Sequence, residues 1–150
     1  MEILVVMALM AALLVILIPA FFRLLQGYRL QSTANIIATN LRFARSAALK
    51  QKVQYRLTFK DNGDSPPNTY TIEYAPGNSC CQRVRNMDTD VPEQVAIDPS
   101  SVDQVTFDSR GAAEITGGTG SSIVLTGAGV GTYTITVSRT GAINTVRTSS

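Results

Sequence analysis

Few residues in this sequence have the chemistry of an active site or a metal centre. The 150 residues include no histidine, and the two cysteines, Cys80 and Cys81, are neighbours. Zinc sites, Ser/His/Asp triads and Cys/His pairs all require histidine or a larger set of cysteines. The sequence therefore predicts a protein that is not an enzyme and that holds no metal and no cofactor.

Cys80 and Cys81 leave three interpretations open. A disulfide between neighbours is strained, because a trans peptide holds the two Cα atoms about 3.8 Å apart, below the usual range of about 4.4–6.8 Å. The alternatives are a cross-link between subunits and a pair of free thiols. An exported chain would favour oxidation, and the adjacent disulfide would then clamp the tip of a loop.

The stretch DNGD, from Asp61 to Asp64, contains carboxylates, which are the ligands that calcium prefers. A calcium ion needs about six to eight oxygen ligands, and this stretch offers few. Asp, Asn and Gly are also the residues that form turns. We therefore predict a turn here rather than an ion site.

Charge is distributed unevenly along the chain. Residues 1–52 contain six basic side chains and one acidic side chain, Glu2, which gives a net charge of +5. Residues 53–150 contain seven basic and ten acidic side chains, a net charge of −3. Because phosphate-binding domains are generally basic, the C-terminal part is not predicted to be a general nucleic-acid surface.

Glu2 stands at the head of an apolar run over residues 3–22. Twenty helical residues span about 30 Å, the thickness of the hydrocarbon core of a bilayer, so we predict a membrane-spanning helix. A cleaved signal peptide fits poorly, because the segment begins with an acidic residue and no cleavage site follows it. Pro19 lies inside the run and removes one backbone hydrogen bond, so a kink or an unwound turn is expected there.

The helical pattern continues beyond the apolar run with one apolar and one basic face. We predict a single helix from near Ile3 to about Gln51, about 70 Å long. The apolar residues recur in steps of four and three, which is typical of an amphipathic helix lying on a core. They are Leu30, Ala34, Ile37, Leu41, Ala44 and Ala48.

Three aromatic residues, Phe21, Phe22 and Tyr28, cluster on the predicted helix. Aromatic side chains bury large areas and are common at membrane interfaces. We expect these three to pack in a core or at such an interface, and we assign them no role in electron transfer.

From Val53 onward the hydrophobic period changes to two, which is typical of half-buried strands. The segments 53–60 and 69–75 form a predicted hairpin, and SRTG at 138–141 closes a second one. The predicted fold class is α+β, with a long N-terminal helix (1–52) packed on an antiparallel β-sheet domain (53–150). A loop over 76–92 is long for such a domain and indicates a functional segment or a tether. The other predicted strands are 94–97, 105–107, 113–115, 122–126, 132–138 and 142–147.

Together these features resemble type IV pilin-like proteins. The N-terminal resemblance rests on Glu2 before the apolar segment, Pro19 seventeen positions later, and the amphipathic continuation over 29–51. The segment VTFDSRGAAE (105–114) and the hairpin around SRTG are most similar to the GspH/FimT group, which contains a type II secretion pseudopilin and minor pilins. The resemblance covers nearly the whole chain.

The resemblance implies a structural subunit of a type IV pilus-like or pseudopilus filament, a homo-oligomer built through the N-terminal helices. Glu2 would pair with the N-terminal amine of a neighbouring subunit, and Pro19 would let the helix melt and repack. The chain would reside in the bacterial inner membrane before assembly and in an extracellular or periplasmic filament afterwards. An assembly platform and a prepilin peptidase are implied as partners. The filament core would include Ile3, Leu4, Leu13, Leu14, Phe21 and Phe22.

The alternative is a minor pilin or pseudopilin at a filament tip that binds DNA or a type II secretion substrate. Some members of the group bind DNA through arginines in a C-terminal G-R-x-R stretch, and the corresponding residues here read GAINTVR (141–147). Ala142 replaces the first arginine, and only Arg139 and Arg147 remain nearby. DNA is therefore the less favoured partner.

Overall fold

The structure is a computed structural model that describes residues 2–61, 63–76, 81–84, 91–118, 120–127 and 129–148. It confirms the predicted fold class, because a long N-terminal helix packs on antiparallel β-sheets. Helix α1 runs from Glu2 to Gln51. The strands in the described residues are β1 (Gln54–Lys60), β2 (Thr69–Ala75), β3 (Gln82–Arg83), β4 (Val95–Ile97), β5 (Gln104–Phe107), β6 (Ala113–Thr116), β7 (Ser122–Gly127), β8 (Gly131–Val137) and β9 (Ile143–Thr148).

Helix α1 ends where the chain must reverse into β1. Lys52 has a φ of 58°, in the left-handed region that commonly ends a helix. We refer to residues 2–25 as the first half of α1 and to residues 26–51 as its second half, because the two halves have different surroundings.

The second half of α1 forms one wall of the hydrophobic core. Its six predicted apolar positions, which we call the core stripe, are each at most 1% exposed. The stripe packs against strands of both sheets, among them β1, β7, β8 and β9. The amphipathic prediction is therefore confirmed at every position of the stripe. The largest fully buried side chains on the β-side of the core are Tyr70, Phe107, Leu57, Ile72, Ile97, Ile123, Leu125 and Ile135.

Two sheets form the β-domain, whereas the sequence predicted one. The first has the order β3-β2-β1-β5-β6 and the second the order β4-β7-β8-β9, with antiparallel pairing throughout. Alternation of buried and exposed residues identifies a strand but not its partner, so the pattern could not separate the sheets. Strand β3, within the predicted 76–92 loop, was missed because its two residues are both exposed and show no alternation.

One buried polar pair fixes the position of α1 on the first sheet. The side-chain amide of Asn40 donates a hydrogen bond of 2.6 Å to the hydroxyl of Tyr70 on β2. Asn40 is 7% exposed and Tyr70 1% exposed. Since a buried amide without a partner is costly, this bond favours one register between the helix and the sheet.

Candidate assembly surface

The described apolar side chains in the first half of α1 lie outside the core of the monomer. Ile3 is 76% exposed, Leu13 58%, and Phe21 and Phe22 60% each. Large exposed apolar side chains grouped on one segment mark a contact with another molecule or a membrane. The first half is therefore the part of the described chain that most needs a partner.

The structure gives no account of several predicted assembly residues. The side chains of Glu2, Leu4, Leu14 and Pro19 lie outside the described set, so the pairing of Glu2 stays a prediction. In the part of the chain that is described, no helix combines the length and the hydropathy that crossing a bilayer would require.

The backbone of α1 is helical through Pro19. The unwound turn that the sequence allowed at this position is therefore absent from the monomer. The proposed melting of the helix at Pro19 during assembly stays a prediction.

Phe21, Phe22 and Tyr28 do not pack in the core of the monomer, and their place in a filament core or at a membrane interface stays a prediction. Tyr28 is 72% exposed, more than either phenylalanine. All three lie on a helix whose core-facing side is occupied by other residues. Their large apolar area is therefore available to a second molecule.

Two turns with the same hydrogen bonds lie near the C-terminal part of α1. One connects β5 to β6 and the other connects β8 to β9. In the turn 108–112, the N–H of Asp108 donates to the carbonyl of Ala112, and the carbonyl of Asp108 accepts from the N–H of Gly111. In the turn 138–142, Ser138 makes the same two bonds with Ala142 and Gly141. Gly111 and Gly141 have φ values of 78° and 80°, the left-handed conformation that closes such hairpins and favours glycine.

The polar residue that opens each turn also accepts backbone hydrogen bonds through its side chain. Asp108 Oδ1 accepts bonds of 2.9 Å from the N–H groups of Ala112 and Arg110. Ser138 Oγ accepts a bond of 3.0 Å from the N–H of Ala142. The bond from Ala112, with further help from Arg110, holds the pKa of Asp108 below its usual value. The ionised carboxylate is thus the form that suits the folded turn.

Arg45 ties α1 to both turns at once. Its Nε donates to the carbonyl of Gly111 at 3.1 Å, and its Nη2 donates to the carbonyl of Thr140 at 2.9 Å. A backbone bond from Ala113 to the carbonyl of Arg139 joins the two turns directly. We call Arg45 and the two turns the turn clamp. It fixes the end of α1 against both sheets.

The sequence analysis did not find Arg45, although a signal was present. The stretches DSRGA (108–112) and SRTGA (138–142) share a polar first residue, glycine at the fourth position and alanine at the fifth. That repeat indicates two equivalent turns. Which helix residue bridges them depends on tertiary packing and cannot be found from either stretch.

The two arginines proposed for DNA binding are far apart. Arg139 lies in the β8–β9 turn, whereas Arg147 is near the other end of β9. The strand between Ile143 and Arg147 alone spans about 13 Å. Arg147 also lies over the ring of Tyr133, 6.0 Å from its centroid. The two side chains therefore do not form one compact phosphate site.

The remaining predicted sites lie in loops. Cys81 is in a disulfide, and Cys80 lies outside the described residues. The DNGD turn is confirmed, because Asp61 Oδ1 accepts a hydrogen bond of 2.7 Å from the N–H of Gly63. Among the residues described, no three acidic or cysteine side chains cluster as a metal site would require.

The fold is shared with solved pilin-type structures. The minor pilin FimU of the Pseudomonas aeruginosa type IV pilus is 22% identical, with a TM-score of 0.57 over 77% of this chain and 86% of that one. The minor pseudopilin EpsH of the Vibrio cholerae type 2 secretion system is 12% identical, with a TM-score of 0.61 over 79% and 97% of the two chains. No curated protein matches the sequence.

A half-buried N-terminal helix on antiparallel sheets, with an uncovered apolar first half, defines a pilin-like subunit. Residues 33–141 match the family model of the type II transport protein GspH. The chain therefore belongs to the GspH family. That membership supports a role as a filament-associated subunit, in a family whose members are structural rather than enzymatic.

Proposed function

We propose that this chain is a structural subunit that polymerises into a type IV pilus-like or pseudopilus filament through the first half of α1. The observation that carries the proposal is the contrast within one helix. The second half buries its core stripe in its own domain, while the described apolar side chains of the first half are exposed. Burying a fully exposed Leu, Ile or Phe side chain contributes about 1.5–3 kcal/mol, so several such residues give assembly a large driving force.

Before assembly the first half would lie in the bacterial inner membrane, and afterwards in the core of an extracellular or periplasmic filament. Extraction from the membrane would need the assembly platform, and maturation the prepilin peptidase, that pilin-like proteins use. In the filament Glu2 would pair with the N-terminal amine of a neighbour. A charge buried without such a partner is strongly destabilising. The pairing would therefore favour the one alignment of neighbouring helices in which Glu2 meets the amine.

The pairing of Glu2 is tested with Glu2→Ala in the full-length chain. After detergent removal, the wild type is expected to form filaments in electron micrographs. Glu2→Ala should form none, while its circular dichroism and thermal unfolding stay unchanged. The matched control is Glu114→Ala, which removes an exposed carboxylate from β6. Filaments of Glu2→Ala at wild-type yield would contradict the pairing role.

A minor subunit at a filament tip is the second candidate, because both structural neighbours are named as minor subunits. Copy number distinguishes the two roles. A major subunit is recovered as long homopolymers, whereas a tip subunit is present once or a few times per filament.

DNA binding at such a tip is testable with a soluble fragment. The fragment must keep the core stripe, which begins at Leu30 and is part of the hydrophobic core. Residues 27–150 meet this condition. A gel shift that weakens with salt, and that is lost in Arg139→Ala or Arg147→Ala, would favour DNA as the ligand. No shift at low salt would eliminate it.

A further inference from the structure

Strand β9 is the longest edge strand in the described part of the chain. The edges of the two sheets are formed by β3 and β6 in the first sheet and by β4 and β9 in the second. Strand β3 has two residues, β4 has three and β6 has four, whereas β9 has six. An edge strand presents unpaired N–H and C=O groups to other chains, so proteins commonly keep such strands short or cover them. The length of β9 makes it the edge that is most open to a further strand.

Two of the other edges are partly covered by the chain itself. On β4, the N–H of Ile97 donates a hydrogen bond of 3.1 Å to the side-chain oxygen Oδ1 of Asn68. On β6, the N–H of Ala113 donates a bond of 2.9 Å to the carbonyl of Arg139. These bonds use backbone groups that would otherwise be free to pair with another chain.

Three residues of β9 turn their backbone polar groups away from β8. The bond from the N–H of Ser138 to the carbonyl of Ala142 sets the alternation of the ladder between the two strands. Ile143, Thr145 and Arg147 therefore take its non-hydrogen-bonded positions. Their three N–H and three C=O groups face outward, and no hydrogen bond joins them to any other described residue. The outer edge of β9 is thus unpaired along its whole length.

Strand β9 has none of the features that commonly block the addition of a strand. It contains no proline, no glycine and no lysine, and no bulge interrupts its pairing with β8. Its one charged side chain, Arg147, lies over the ring of Tyr133 on β8, 6.0 Å from the centroid. The guanidinium is therefore held toward β8 and does not guard the open edge.

The edge of β9 is complementary to itself in an antiparallel arrangement. When Thr145 lies opposite Thr145 of a second copy, Ile143 of each copy lies opposite Arg147 of the other. Each of these three pairs can exchange two backbone hydrogen bonds, which satisfies all the outward groups. No like charges face each other, and a cross-strand pair of threonines is favourable. On the outer face Asn144 lies opposite Val146, and both are uncharged.

We propose that β9 pairs in this register with β9 of a second copy, so that two four-stranded sheets join into one sheet of eight strands. The unpaired backbone groups call for an extended strand, and the match of the three pairs favours a second β9 as that strand. The contact has two-fold symmetry and closes after two copies, so it does not build the filament. It goes beyond the proposed function and does not depend on it.

The pairing sets the α1 helices of the two copies in opposite directions. Strand β9 begins at the turn 138–142, which Arg45 holds near the C-terminal part of α1. It ends opposite Thr132 at the start of β8, close to Gly127, which lies next to Leu30 of α1. Strand β9 therefore runs antiparallel to α1. In assembled material the contact would link two filaments side by side with opposite polarity.

Cysteine pairing tests the register in the full-length chain, in detergent that covers the first halves of α1. In the proposed pair the two Cα atoms of residue 145 lie about 5.5 Å apart, within the range of about 4.4–6.8 Å that a disulfide spans. Thr145→Cys should therefore form a disulfide-linked dimer under mild oxidation, with the wild-type chain as the blank. The matched control is Thr136→Cys, at an exposed threonine of β8. Its thiols would be three strand spacings apart, about 14 Å, so it should form at least about tenfold less dimer.

A second pair of cysteines distinguishes antiparallel from parallel pairing. A mixture of Ile143→Cys and Arg147→Cys chains should form a disulfide-linked dimer. Ile143→Cys alone should not, because the two copies of residue 143 would lie about 13 Å apart along the strands. A dimer of Ile143→Cys alone, at the yield of the mixture, would show parallel pairing and overturn the proposed register.

Proline at residue 145 tests the backbone bonds without any added thiol. The N–H of Thr145 faces outward, so Thr145→Pro removes no hydrogen bond of the monomer and two of those in the pair. The matched control, Thr145→Val, keeps the N–H and loses only the hydroxyl. In sedimentation experiments in detergent, Thr145→Pro should weaken dimerisation about tenfold or more, and Thr145→Val should stay within about twofold of the wild type.

The outcomes separate this proposal from the proposed function. The edge contact is overturned if Thr145→Cys forms no dimer or no more than Thr136→Cys, or if folded Thr145→Pro dimerises like the wild type. Wild-type filaments that lie singly and give no cross-link at residue 145 also overturn it, and they leave polymerisation standing. Cross-linked dimers of a chain that forms no filaments support the edge contact and overturn the proposed function.

Discussion

The two halves of α1 share one continuous backbone but differ in what surrounds them. In the second half, the core stripe is at most 1% exposed, and Arg45 and Asn40 hold the helix to both turns and to β2. In the first half, Ile3, Leu13, Phe21 and Phe22 are at least 58% exposed. The second half of α1 is thus stabilised by its own domain, whereas the first half needs another molecule to cover its apolar side chains.

The largest expected effect is a difference in the free energy of unfolding between two truncations, one in each half of α1. Leu41→Ala removes a fully buried side chain from the core stripe, so it should lower the free energy of unfolding by about 2–5 kcal/mol. Leu13→Ala removes an exposed side chain and should change it by less than about 0.5 kcal/mol. Urea titration followed by circular dichroism in detergent measures both.

In an assembly assay the ranking of the two variants should be reversed, with Leu13→Ala the more strongly affected. Leu13→Ala removes a side chain of the proposed filament contact and should reduce filament yield, whereas residual folded Leu41→Ala should assemble. Equal effects of the two variants on unfolding would remove the contrast between the halves.

A smaller effect is expected at the turn clamp, which fixes the second half alone. A Cβ at residue 141 would lie 2.3 Å from the carbonyl oxygen of Gly111 and 2.5 Å from Nε of Arg45. Gly141→Ala should therefore displace Arg45 and cost more than the roughly 1–2 kcal/mol of a left-handed alanine. The melting temperature of residues 27–150 measures the loss.

Gly129→Ala is the matched control for this prediction. Gly129 has a φ of 73°, yet a Cβ there meets nothing within 4 Å. Gly129→Ala should thus show the conformational cost alone. If the two variants melted at the same temperature, the clamp would contribute nothing beyond the backbone conformation of its glycines.

The smallest effect is a pH dependence from Asp108. Because the pKa of Asp108 is lowered in the folded state, the ionised carboxylate stabilises the fold fully above the pKa of the unfolded chain, and this contribution is lost as the pH falls through the lower folded pKa. Asp108→Asn should lower the melting temperature at pH 7, by less than Gly141→Ala does, and the difference from the wild type should shrink as the pH is lowered into the acid range. A difference of the same size at every pH would assign the effect to packing instead of charge.

Much of this contrast was predictable from the sequence. The steps of four and three from Leu30 to Ala48 fixed the face of α1 that is buried, and the end of that pattern placed the end of the helix at Gln51. The surroundings of the aromatic residues, in contrast, could not be predicted. Phe21, Phe22 and Tyr28 are apolar, but a single sequence does not show whether its own core or another molecule covers an apolar residue.

The sequence by itself determined which segments form the helix and most of the strands, and which face of α1 is apolar, since both follow from local periodicity. Only the tertiary structure decided the division into two sheets and the bridge from Arg45 to Gly111 and Thr140. These features join residues up to 95 positions apart. Such contacts depend on how elements pack in space, and a pattern that repeats every two or four residues holds no information about that packing.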